Sequence, residues 1–198
     1  MTEADGAVAR EWPAVLTWRS HDLTRMESAR VQLSGNRIRA TGRIVAAASA
    51  TNPAFNASYD LVTDDTGATK RLSLDVSTAE RDRQLSIARD EENKWLISGF
   101  EGESREDFGD ALDVDVMLSP FFNALPIRRL GLHRAVESVS VPVAYVDVPD
   151  LSVVPATITY SSTGAGGRIG VQSPVADAIL TVDDDGFIVD YPGLAERI

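Results

Sequence analysis

Residues 113–130, DVDVMLSPFFNALPIRRL, gather two carboxylates, an Asn between aromatic and Pro residues, and two adjacent arginines. On an extended segment Asp113, Asp115 and Met117 share one face and Leu112, Val114, Val116 and Leu118 the other. Asp113 and Asp115 then point the same way, with Cβ atoms about 7 Å apart. That separation is compatible with the roughly 5–9.5 Å between the two carboxyl groups of a glycoside hydrolase. It is equally compatible with an ion pair to Arg128 or Arg129, or with solvated charges at a strand edge. Ser119 and Pro120 open a corner and Pro126 closes one. In an extended corner Phe121 and Phe122 cannot face the same way, so one of them is expected in the core. Asn123 has the donors and acceptors either to satisfy buried backbone or to orient a polar ligand.

A second polar stretch, VAYVDVPDLSVVPATITY, puts Tyr145 and Asp147 on one strand face and Val146 and Val148 on the other. Tyrosine hydroxyls beside carboxylates suit contacts to a sugar or a head group, and Tyr at a strand edge equally serves half-buried packing. Trp18 and Arg19 can stack on a ligand or fill a core. Trp95, among apolar neighbours, is expected in the core.

Other chemistries are closed off by composition. The chain has no Cys, which removes disulfides, thiolate metal ligands and cysteine nucleophiles. It has two histidines, His21 and His133, too few for a multi-His metal site, and no G-x-S-x-G to support a Ser-His-Asp triad. The Gly-rich STGAGGRIG precedes no helical pattern, so it reads as a loop and not a phosphate cradle. No metal or cofactor is expected. A net charge of −11 argues against nucleic acid, despite the basic tint of Arg19 through Arg43. The N-terminus carries acid and no apolar leader, and no window approaches the ~18 apolar residues of a membrane span, so the cytoplasm is the expected location.

The elements that must position these residues are strands. FNASYDLVTDDTGATKRLSLDVST alternates apolar and polar residues on both sides of a DDTG turn, a hairpin signature. RQLSIARDEENKWLISG and AILTVDDDGFIVDYPG repeat the device, and SVSVPVAYVDV with ATITYSSTG form a further pair. Helical signal is confined to STAERDRQL, a turn or two, and to a short helix in PFFNALPIRRLGL that Pro126 keeps short. The expectation is a flexible tail over residues 1–12 and a single all-β domain over 13–198, with minor helix. Its strands form a strongly curved antiparallel sheet or incomplete barrel.

These motifs together, with the terminal DDDGFIVDYPGLAERI and the early LTWRS, resemble the family known as "Putative glycolipid-binding", a bacterial domain family of unknown function. The resemblance spans about residues 15–198. The matching positions are Asp113, Asp115, Ser119, Pro120, Asn123, Pro126, Ile127, Arg128 and Arg129, then Tyr145, Asp147, Pro149, Asp150 and Tyr191. It implies an open β half-barrel like that of the bacterial lipoprotein carriers, which act outside the cytoplasm. No catalytic residues come with it. The expected function is non-enzymatic binding of an amphipathic ligand, a glycolipid or similar molecule, in a β cleft. The candidate contacts are Asp113, Asp115, Asn123, Arg128, Arg129, Tyr145, Asp147, Trp18 and Arg19. Two other readings stay open: a hydrolase or isomerase using Asp113, Asp115 or Asp147, and a structural domain whose sheet edge takes a strand from a partner.

Overall fold

The computed structural model describes residues 11–50, 52–164 and 166–198. Alternating inward apolar side chains dictate strands almost throughout, and the pattern is plainest where Ile38, Ala40 and Ile44 are buried between the exposed Arg37, Arg39 and Arg43. The first eight strands are β1 (Ala14–Ser20), β2 (Arg25–Ser34), β3 (Arg37–Ala46), β4 (Phe55–Thr63), β5 (Thr69–Thr78), β6 (Asp82–Arg89), β7 (Trp95–Gly99) and β8 (Gly102–Glu106). They form an antiparallel meander in which each pairs with the next.

A short crossing, β9 (Asp113–Val116), leads into a 3-10 turn at Phe121–Asn123 and helix α1 (Ala124–Arg129). The chain then returns through β10 (Val136–Val146), β11 (Val153–Thr163), β12 (Arg168–Gln172), β13 (Asp177–Val182), β14 (Ile188–Tyr191) and β15 (Ala195–Arg197). β15 pairs with β1, which joins both meanders into one unclosed fifteen-stranded sheet running from β8 at one end to β9 at the other. Every pairing is antiparallel except β9 with β10. The curved, mostly antiparallel sheet expected from the hairpins is therefore present.

Two apolar cores fill the curve. The first draws on β1–β7 and the second on β10–β14, and the β9–β10 pair lies between them. Val114, Val116, Ala144 and Val146 face the first core while Val143 faces the second. The 3-10 turn and α1 plug the concave side. Phe121 and Phe122 are both fully buried, where an extended segment would have allowed only one inside. The helical turn is the reason, since it lets neighbouring side chains point inward to different walls. Phe121 stacks near Tyr59 and Phe187 at 5.8 and 6.2 Å, and Phe122 meets Tyr59 edge-on at 5.2 Å. Pro126 falls in the first turn of α1, where its missing N–H leaves no bond unmade.

Three details depart from expectation. STAERDRQL makes no helix; a tight turn joins β5 to β6 there, closed by Thr78 N–H donating to the Arg81 carbonyl at 2.9 Å. β1–β3 extend the sheet well beyond the hairpins read from the sequence. Of the tail placed at 1–12, residues 1–10 lie outside the described residues, and Trp12 packs on Phe187 with ring centroids 5.3 Å apart. No helix is long and apolar enough to cross a membrane among the described residues.

Candidate functional site

The alternation along β9 sends Asp113 and Asp115 to the same face, and their surroundings then divide them. Asp113 is fully buried and receives Arg129 from α1, with Nη2 at 2.6 Å and Nε at 3.2 Å from Oδ2. This is the ion pair that the DxD spacing allowed. Burial pushes the Asp113 carboxyl above its ordinary range despite the guanidinium beside it.

Asp115 has no such partner. It opens onto a cavity of about 490 Å³ bounded by the end of β9, the β12–β13 connection and the β14–β15 turn. Its residue surface is partly exposed, yet Oδ1 is sealed from solvent and accepts no hydrogen bond. Desolvation, helped by the charge of Asp113, pushes its pKa up to about 7. Tyr145 lies opposite Asp115 in the parallel β9–β10 register and lines the same cavity. Tyr191 approaches from the far wall. Burial first, and then the field of Asp115, raise both phenols to about 12, so each remains a hydroxyl donor at any physiological pH.

Asn123 borders the cavity from the 3-10 turn and accepts the Tyr160 hydroxyl at 3.0 Å through Oδ1, which leaves its NH₂ for another partner. Its partner is thus a side-chain hydroxyl and not buried backbone. Apolar walls from Ile158, Val171 and Leu194 complete the space. The arrangement offers the Asp115 and Asp177 carboxyls, one amide and two phenols to a polar group, with apolar walls beside them.

The remaining candidates are elsewhere. Arg128 packs its guanidinium over Phe187 at 4.9 Å and donates to the Asp185 carbonyl, bracing the β13–β14 turn. Trp18 is fully buried and donates Nε1–H to the Ile188 carbonyl at 2.8 Å, while Arg19 pairs with Glu196 at 2.6 Å. Asp147 sits in the β10–β11 connection, where its N–H donates to Ser152 and its carbonyl accepts from Leu151. Of the nine sequence candidates, Asp115, Asn123 and Tyr145 meet at the cavity. Arg129 reaches its neighbourhood only through Asp113, and the other five residues fall outside its lining.

A buried acid absent from that set lies behind the cavity wall. Glu27 on β2 is sealed inside and accepts the Tyr59 hydroxyl at 2.7 Å and the Ser119 hydroxyl at 2.7 and 2.8 Å. Desolvation raises its pKa to about 7 against these hydrogen bonds. It therefore ties the start of the plug, and Ser119 on the cavity rim, to the sheet. The signal was available in the sequence, since Glu27 falls on the inward face of β2 with Ala29 and Val31. Gly42 on β3 makes room for the Tyr59 ring: a Cβ there would lie 2.1 Å from Cζ. No cluster of acidic or His side chains suited to a metal ion occurs among the described residues.

A crystal structure of a DUF1089 family protein from Pseudomonas aeruginosa, at 1.80 Å resolution, has a similar fold. The TM-score is 0.71 at 24% sequence identity, over 87% of this chain and 92% of that one. No match is found among curated proteins. The family model described as "Putative glycolipid-binding" matches residues 15–197, across both cores, the plug and every wall of the cavity, and the chain belongs to that family.

Proposed function

We infer that the protein is a non-catalytic binder of an amphipathic, sugar-bearing molecule, a glycolipid or its like, whose polar head enters the Asp115 cavity. One observation carries this reading: Asp115, a partly exposed carboxyl, lines the cavity beside Asn123, Tyr145 and Tyr191, with Ile158, Val171 and Leu194 around them. A hydrogen bond from a ligand hydroxyl to the exposed part of this carboxyl contributes about 0.5–1.5 kcal/mol, and more where the carboxyl is charged. The volume falls within the ordinary range of small-molecule sites, roughly 300–1,000 Å³. It accommodates a head group, whereas the plug fills the concave interior where long acyl chains would otherwise lie. Each CH₂ that the apolar walls do cover adds about 0.8 kcal/mol.

Native mass spectrometry of protein prepared without detergent, followed by solvent extraction, tests the class. A retained stoichiometric amphiphile is expected. Titration with monomeric octyl glucoside should show tighter binding than glucose or octyl sulfate, weakened at least tenfold by Asp115→Asn together with Asn123→Ala. A clean apo mass with no octyl glucoside binding at millimolar concentration would remove the reading.

A hydrolytic reading draws on the same acid. A carboxyl with a pKa of about 7 is suited to donate a proton at neutral pH, and Asp177 supplies a second carboxyl on the cavity wall. Of the three aspartates considered for catalysis, Asp113 is committed to Arg129 and Asp147 lies outside the cavity, so this reading rests on Asp115. Nitrophenyl glycosides turned over by the wild type and not by Asp115→Asn would favour it.

A further inference from the structure

A second and larger hollow, about 820 Å³, lies between β6–β8 and the end of the β10–β11 hairpin and shares no lining residue with the Asp115 cavity. Its floor is apolar, with Leu85, Ile97, Phe108 and Leu151. Its borders are two strands with unused backbone. Among the described residues β8 ends the sheet and pairs with β7 alone, and all five of its residues are exposed. The first half of β11, residues 153–158, pairs with β10 alone, because β12 begins its pairing at Thr159. A row of free N–H and C=O groups at such an edge is a template for another strand.

The charge of the rim selects the visitor. Glu101, Glu103 and Glu106 border the hollow, are exposed, and have no ion-pair partner among the described residues. The arginine that reaches it, Arg83, is already held by Asp150 through the backbone oxygen at 2.6 Å. A second copy of the chain is a poor fit. Antiparallel pairing of two β8 edges about Ser104 would set Glu103 against the other copy's Arg105, but Arg105 is engaged by Asp90 and Glu92 at 2.9 and 2.6 Å. Each edge would also bring its uncompensated glutamates to the other.

We propose that this groove takes an extended, Lys- or Arg-rich segment of a partner protein, which adds a strand to β8. Main-chain hydrogen bonds supply the affinity, alternate apolar side chains enter the floor, and cationic ones on the other face meet Glu103, while Glu101 and Glu106 add to the acidic field at the two ends of β8. This surface is independent of the Asp115 cavity.

The test uses a fluorescein-labelled ten-residue peptide alternating Lys and Val, and a control alternating Lys and Pro, which carries the same charge but cannot join a ladder. Fluorescence anisotropy should show the first binding at least tenfold more tightly than the second. Glu101→Gln/Glu103→Gln/Glu106→Gln, all at exposed positions, should weaken it at least tenfold. Hydrogen exchange should register new protection at Gly102–Glu106. Equal binding of the two peptides would reveal only diffuse attraction to an acidic chain and overturn the proposal, as would no binding or protection confined to other strands. Concentration-dependent dimerisation that protects β8 without peptide would assign the edge to a second copy and overturn it equally.

Discussion

Asp113 and Asp115 stand two residues apart on one strand, and their different tasks follow from what α1 brings to each. Arg129 reaches Asp113, whereas among the described residues none donates to Asp115 Oδ1. Arg128, its neighbour on the helix, turns the other way to cover Phe187. The two arginines should therefore respond unequally to truncation. Arg129→Ala abandons a buried carboxyl and should cost about 3–5 kcal/mol. Arg128→Ala loses a cation–π contact and a hydrogen bond, about 1–2 kcal/mol. Urea denaturation of both variants checks the ranking, and an equal or inverted cost would contradict it. DxD spacing made an arginine partner readable in advance, but which arginine depends on the rotation of a six-residue helix. No period in so short an element fixes that rotation; the cores on either side do.

The turns are the elements most legible in the sequence, and the same chemistry builds three of them. Asp64, Asp90 and Asp183 each begin a hairpin connection and each accept backbone N–H groups two and four residues on: Thr66 and Ala68, Glu92 and Lys94, Asp185 and Phe187. All three also hold an arginine: the shielded Arg89 and Arg197 bind Asp64 and Asp183 at 2.7 and 2.6 Å, and the half-exposed Arg105 binds Asp90 at 2.9 Å. Asp183→Ala should lower the melting temperature more than Asp90→Ala, because the arginine it frees is shielded from water whereas Arg105 is half exposed. Alternating strands flanking such turns were likewise readable, as in β4 and β5. The cavity was readable only in part. Asp115, Asn123 and Tyr145 declared themselves as polar groups in an apolar context, whereas Tyr191 and Glu27 come from strands distant in sequence. Their relation to Asp115 depends on how the sheet curls, which local patterning does not encode.

At the scale of the whole molecule, two acids held neutral by burial make stability fall as pH rises. The Glu27 and Asp115 carboxyls have pKa values near 7 in the fold against ordinary values of 4.5 and 3.8. Their contribution is complete below the ordinary values, where both states are protonated, and is lost as pH rises to about 7 and the unfolded chain alone gives up protons. His133, whose lowered pKa favours the fold as pH rises, works in the opposite sense. Glu27→Gln isolates the acid term: the drop in Tm from pH 5.5 to pH 8 should shrink relative to wild type, and an unchanged drop would mean that Glu27 does not titrate there. The same network binds plug to sheet through Tyr59 and Ser119, so its protonation is felt in the first core, where Tyr59 packs on Phe121 and Phe122. The middle of the sheet has a consequence for biosynthesis. β2 to β8 pair with sequence neighbours and can assemble as they leave the ribosome. β1 cannot, for its other partner is β15, and Trp18 donates to a carbonyl 170 residues downstream. Until residues 195–197 are made, a translating chain holds one side of its first strand bare, and that is where a chaperone would be needed.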